Sequence, residues 1–224
     1  MTLDVTAAPS LNFNDRKAAI SLILLHYTGM HSGEAALMRL RDPQAQVSAH
    51  YLVEEDGRIF QLVGEDKRAW HAGVGRWQGE TDINSASIGI EIVNGGHDFN
   101  LPGYPPEQIE SVIALVRDLM SRHTLGPDRV IGHSDVAPGR KQDPGEHFPW
   151  GELVAAGCAR AMPAEPGAGG DMAEYLGRIG YSLEPGLEAV VEAFQRRWRP
   201  SRVDGVLDDE TRGLIARLAT QGDD

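Results

Sequence analysis

The sequence predicts an α/β domain, a mixed central sheet flanked by helices, followed by a small C-terminal domain of three helices. Three observations predict it. Apolar runs of strand length, such as Leu22 to Leu25 and Ser87 to Val93, share the first part of the chain with a long helical pattern opening at Pro105. The Pro/Gly/Ala stretch Pro163 to Gly170 then interrupts all periodicity and reads as a linker. Beyond it, apolar residues recur at helical spacing. The expected units are therefore 1–162, a linker at 163–170, and 171–224.

Each element has its own signature. Leu22 to Leu25 is continuously apolar, as in a strand buried on both faces. Ala49 to Val53 and Arg58 to Val63 flank Glu54-Glu55-Asp56-Gly57, and Asp-Gly between apolar runs marks a hairpin. In Ser87 to Val93, strand alternation puts Ile88, Ile90 and Ile92 on one face and Gly89, Glu91 and Val93 on the other. Pro105-Pro106-Glu107 opens a helix with Ile109, Val112, Ile113, Val116, Leu119 and Met120 toward the sheet. Arg129 to Gly132 is a short strand that ends at His133, and the Pro- and Gly-rich stretch 134–150 reads as a loop. In the tail, a short helix runs from Met172 to Ile179. Leu187, Val190, Val191, Phe194 and Trp198 share one face of a second, and Leu214, Ile215 and Leu218 lie on a third that starts at Asp208.

Charge and cysteine count remove several functions. With 21 Lys+Arg against 33 Asp+Glu, the formal net charge of −12 is wrong for non-specific nucleic-acid binding. No window approaches the roughly 20 apolar residues of a membrane span. Met1 to Lys17 lacks the basic start and apolar stretch of a secretory signal. A single cysteine, Cys158, excludes an intramolecular disulfide and a Cys-rich zinc module, so any metal falls to His and carboxylate. Cys158 itself reads as a small buried apolar residue.

Among eight histidines, His26 and His133 stand out because each directly follows an apolar strand, where open sheets build sites. In Gly132 to Gly145, Asp143 precedes a proline and is pushed toward extended backbone, so Lys141 and Asp143 point the same way. Two imidazoles and one carboxylate, His26, His133 and Asp143, make a three-ligand zinc set with a fourth position open, the pattern of catalytic zinc. The alternative is a surface turn carrying a Lys–Asp pair. Glu91 sits mid-strand, where a buried carboxylate needs a cation or hydrogen-bond donors. The alternative there is a solvated strand face.

Five segments in order carry a resemblance: Leu24 to Thr28, Ser48 to Val53, Ala69 to Gly73, Ser87 to Glu91, and Gly132 to Gly145. Together the stretch from about 20 to 150 resembles the zinc-dependent N-acetylmuramoyl-L-alanine amidases, the amidase-2 group that also holds phage lysozyme-type amidases and peptidoglycan recognition proteins. The resemblance implies that His26, His133 and Asp143 bind Zn²⁺, that Glu91 is the general base and that Lys141 stabilises the oxyanion. It implies a substrate, peptidoglycan or muropeptides, cut between N-acetylmuramic acid and L-alanine. His50 reads as a core or near-site hydrogen-bonding residue, against a direct role in binding substrate, Trp70 and His71 as groove lining or as packing, and Arg140 as a partner for a peptide carboxylate, against a surface ion pair. His31, His97, His123 and His147 have no supporting context and read as surface residues.

The tail, with Ala189 to Arg197 and Asp204 to Thr211, resembles the helical peptidoglycan-binding domain appended to wall hydrolases. Arg196, Arg197, Arg199 and Arg202 cluster around Trp198 as a basic patch, read either as solvated or as a contact for anionic wall polymer. A wall-binding tail argues for the cell envelope, the missing signal for the cytoplasm. Nothing demands more than a monomer. Two readings compete with the amidase: a recognition protein that binds murein without cutting it, and a zinc hydrolase of another amide.

Overall fold

The computed structural model describes residues 3–165, 167 and 169–220; the expected linker's Pro166 and Ala168, and the last four residues, lie outside them. Its strands are β1 (Val5–Ala7), β2 (Phe13–Asp15), β3 (Leu22–Tyr27), β4 (Tyr51–Val53), β5 (Ile59–Gln61), β6 (Lys67–Ala69), β7 (Ser87–Ile92) and β8 (Val130–Gly132). The helices are α1 (Gly33–Arg41), α2 (Ile83–Ala86), α3 (Pro106–His123), α4 (His133–Val136), α5 (Trp150–Ala155), α6 (Met172–Ile179), α7 (Leu187–Trp198) and α8 (Asp209–Ala219). Six strands form one sheet in the order β1-β5-β4-β7-β3-β8, while β2 and β6 pair separately. The sheet is mixed: β4 and β5 are antiparallel across the Asp-Gly turn, and the other neighbours are parallel.

Strand alternation divides the core into two layers. Ile23 and Leu25 of β3 share a cluster with Ile88, Ile90 and Ile92 of β7 and the buried face of α3. Leu22 and Leu24 point the other way, into a cluster with Ile131 and the buried residues of α6, α7 and α8. The three C-terminal helices therefore pack in one continuous core with the sheet. Phe194 is fully buried in that core, and truncating such a residue to Ala costs about 3–5 kcal/mol. Asp208 caps α8 as its position suggested, its Oδ1 accepting from Thr211 N at 2.9 Å.

The basic patch is corrected. Arg196, Arg197 and Arg199 are buried, and each is ion-paired, to Glu146, to Asp135, and to Asp208 and Glu210 respectively. Only Arg202 of the four is exposed, and it pairs with Asp204 and Asp208. A cluster of four arginines reads as a surface, but Arg197 is sandwiched over the rings of Trp150 and Trp198 and reaches into the first domain.

The 134–150 stretch is also not wholly loop. His133 to Val136 closes one helical turn, where Gly132 N donates to Asp135 Oδ2 at 2.9 Å, and α5 begins at Trp150. No helix among the described residues is long and apolar enough to cross a membrane.

Candidate active site

The site sits where three adjacent strands end. β3 and β7 run parallel with His26 in register with Glu91, so both side chains leave the same face side by side. β8 pairs with β3 through Gly132 and Leu25, so the next residue, His133, arrives beside His26. Asp143 is brought back by its own carbonyl, which accepts from Ser134 N at 2.9 Å.

His26 Nδ1, His133 Nδ1 and Asp143 Oδ2 form a triangle with every side 2.9 Å. All three residues are buried, His26 and His133 to 1% exposure. Carbonyl oxygens only accept, so His133 Nε2, 2.8 Å from Ala72 O, carries that ring's proton. A neutral His133 then turns a bare Nδ1 lone pair toward a carboxylate. His26 Nε2 is likewise engaged, at 3.0 Å from His71 Nδ1. Burial, and next the neighbouring His133, lower the His26 pKa to about 4, which favours the neutral ring. Two imidazole nitrogens and a carboxylate oxygen, all on buried residues and converging on one point, call for a cation. The donor set fits a divalent metal of the zinc type, with each His fixed by a second partner at its far nitrogen.

Around this triangle opens a cavity of about 470 Å³. Glu91 and Lys141 both line it. Glu91 Oε2 is buried with no hydrogen-bond partner among the described residues. Burial, and then the charge of Asp143, push the Glu91 carboxyl well above its ordinary value, with Lys141 opposing. A carboxyl with a raised pKa and an unpaired oxygen can exchange a proton with a group in the cavity.

The remaining expected residues fall in different places. Trp70 and His71 line the cavity, with Trp70 Nε1 donating to Asn14 Oδ1 at 2.9 Å. His71 packs so closely under β7 that a Cβ at Gly89 would fall 2.5 Å from its ring, so only glycine serves there. Arg140 also lines the cavity, but its guanidinium donates to Ala72 O at 2.7 Å and to Val74 O, bracing the carbonyl that orients His133. His50 is fully buried outside the cavity wall, where its Nδ1 accepts from Gly89 N at 2.9 Å. Burial, and then the charge of Arg16, lower its pKa to about 3.

Two residues that sequence reading passed over matter here. Asn84 Oδ1 accepts from the backbone N–H of His71 and Ala72, at 3.0 and 2.8 Å, and so sets the loop that touches both His26 and His133. His97, read as a surface residue, lines the cavity and meets the hydroxyl of Tyr27 at 2.9 Å. Neither has a sequence signal, because both act across 12 or more residues of chain.

Comparison with known proteins places this geometry. Residues 16–146 match the protein family described as N-acetylmuramoyl-L-alanine amidase. The N-acetylmuramoyl-L-alanine amidase AmiD of Escherichia coli K12 is 35% identical over 229 residues, spanning 89% of this chain and 82% of its own. A solved structure of that protein, with the substrate anhydro-N-acetylmuramic acid-L-Ala-D-γ-Glu-L-Lys, is similar with a TM-score of 0.80 at 34% identity, covering 94% of both chains. AmpDh3 of Pseudomonas aeruginosa in complex with anhydromuramic pentapeptide is similar with a TM-score of 0.80 at 34% identity, covering 88% of this chain and 91% of its own.

Proposed function

Because the chain belongs to the N-acetylmuramoyl-L-alanine amidase family, we propose that it cuts its amide with zinc held by His26, His133 and Asp143. The enzyme hydrolyses the amide between N-acetylmuramic acid and L-alanine. The observation that carries the zinc reading is the 2.9 Å triangle of buried acceptors with the unpaired Glu91 oxygen beside it.

Zinc, when bound, supplies Lewis acidity and lowers the pKa of a water toward about 7. Glu91 takes a proton from the attacking water, and the water oxygen forms its bond to the lactyl carbonyl carbon. The Lys141 ammonium faces the oxyanion that develops on the carbonyl oxygen. Glu91 then gives its proton to the nitrogen of L-alanine as the C–N bond breaks. The products are the muramyl carboxylic acid and a stem peptide with a free amino terminus. Asn84 and Arg140 work further out, holding the 71–74 loop that orients His26 and His133.

A recognition protein that binds murein without cutting it would have no use for an unpaired Glu91 beside a complete ligand set. The α6–α8 module is proposed to hold the enzyme on peptidoglycan, on the resemblance of Ala189 to Arg197 and Asp204 to Thr211 to helical peptidoglycan-binding domains. A monomer is sufficient, since the site is built from one chain.

The test is mass spectrometry of a synthetic anhydro-N-acetylmuramyl-L-Ala-D-γ-Glu-L-Lys after incubation with the enzyme. The expected products are the free tripeptide and the sugar acid, with one water added in total. An unchanged muropeptide, or cleavage inside the tripeptide, would overturn the reading.

A further inference from the structure

Tyr27 is the residue after the ligand His26, and its side chain forms part of the cavity wall. Its ring lies against Gly96, where a Cβ would come within 2.5 Å of it, and Gly96 has a φ of +67°. Both the empty space and the backbone of Gly96 thus serve to seat this ring. The hydroxyl is not left to rotate. It meets His97 Nδ1 at 2.9 Å, His97 Nε2 meets Glu146 Oε2 at 3.1 Å, and Arg196 Nε of α7 stands 3.4 Å from the same Glu146 oxygen. The last contact is an ion pair, not a hydrogen bond.

This row of groups has a direction. A carboxylate only accepts, and the buried guanidinium beside Glu146 favours its charged form. His97 Nε2 must then hold the proton that it donates to Glu146. In a neutral imidazole that leaves Nδ1 as the acceptor, so the single phenolic proton of Tyr27 is committed to His97. The backbone N–H of His97 also donates toward that oxygen, so one lone pair remains for a ligand in the cavity that Tyr27 lines. Nothing in the established reaction uses it, although the cavity's other polar groups already cover the water, the oxyanion and the metal.

We infer that Tyr27, oriented by the His97–Glu146–Arg196 relay, presents a fixed hydrogen-bond acceptor to an amide N–H of the bound muropeptide. Tyr27 is then a substrate-binding residue, His97 and Glu146 are positioning residues, and Arg196 ties the relay to α7 of the C-terminal module. The inference rests on the amidase reading.

The test is steady-state kinetics on anhydro-N-acetylmuramyl-L-Ala-D-γ-Glu-L-Lys with Tyr27→Phe, His97→Phe, the double variant and His97→Asn. Losing one neutral hydrogen bond to substrate is expected to raise KM up to about tenfold in Tyr27→Phe. His97→Phe should raise KM comparably with Tyr27 still in place, since its hydroxyl is no longer turned outward from the cavity. The double variant should be no worse than Tyr27→Phe, the signature of two residues acting as one unit. His97→Asn, whose side-chain oxygen can take the place of Nδ1, should recover most of the loss, which a merely structural defect would not allow. A KM for His97→Phe within twofold of wild type, or effects that multiply in the double variant, would overturn the inference. Wild-type enzyme that releases no tripeptide would instead fail the amidase reading itself, before any variant is compared.

Discussion

Two buried aspartates eight residues apart, Asp135 and Asp143, show how one stretch of chain builds both a seam and a site. Asp135 is closed on every side. Its Oδ2 accepts from Gly132 N at 2.9 Å and from Arg197 at 3.2 Å, and its Oδ1 accepts from Tyr181 at 2.5 Å. Asp143 faces His26 and His133 at the same short distances, but the His133 proton is held elsewhere, by Ala72 O, and the far nitrogen of His26 is engaged by His71. One cluster supplies its own cation from α7. The other gathers three acceptors and supplies none. A buried polar group satisfied within the chain is architecture; one that converges on a missing charge is a binding site.

The comparison breaks most easily at the ligands. His133→Ala is expected to lose metal and to lower kcat by at least about a thousandfold, since both the Lewis acid and the acidified water go with it. Its melting temperature without metal should stay near that of metal-free wild type, as read by calorimetry. Glu91→Gln should keep metal yet lose about 10²–10⁴ in kcat, measured by tripeptide release, because only proton transfer is removed. Lys141→Met should cost about 10²–10³ in kcat, again with metal retained.

The seam should behave in the opposite way. Arg197→Met leaves Asp135 charged, buried and short of its cation, and is expected to destabilise the fold by about 3–5 kcal/mol in denaturant titration. The molecules still folded should bind metal as wild type does. The smallest effect sharpens the contrast from outside both clusters. Burial alone would raise the pKa of Glu65, but Arg122, Tyr51 and His123 lower it from 4.5 to about 2. A depressed acid stabilises the fold above its unfolded pKa and loses that contribution as pH falls through the folded one. Stability should therefore drop between about pH 4.5 and 2 by about 1–2 kcal/mol, because solvent screens the half-exposed Arg122, and Glu65→Gln should flatten that slope.

Much of the site was legible in the sequence because its chemistry sits at strand ends. Leu22 to Leu25 and Arg129 to Gly132 announce two strands, and each is followed by a histidine that the sheet places side by side. Glu91 was legible from alternation alone, which put it on the face opposite three isoleucines. The hidden parts depend on pairing between distant segments. β1, β2 and β6 are mostly exposed or half-buried, so no apolar run marks them, unlike the equally short β4 and β8. The arginines of α7 looked like surface because a sequence shows their charge and not the Asp135, Glu146 and Asp208 carboxylates that meet them. His50 sits in a histidine-bearing motif like the ligands, yet it is used to accept from the Gly89 backbone.

Zinc dependence of the amide hydrolysis is the central claim, and chelation with readdition tests it most directly. Tripeptide release from anhydro-N-acetylmuramyl-L-Ala-D-γ-Glu-L-Lys is followed by mass spectrometry in purified enzyme, after stripping with a chelator, and after one equivalent of Zn²⁺ is restored. The expected result is release that stops on stripping and returns with zinc in wild type, but not in Asp143→Ala. Release that continues unchanged in the stripped enzyme, or in a protein lacking both His133 and Asp143, would contradict the account.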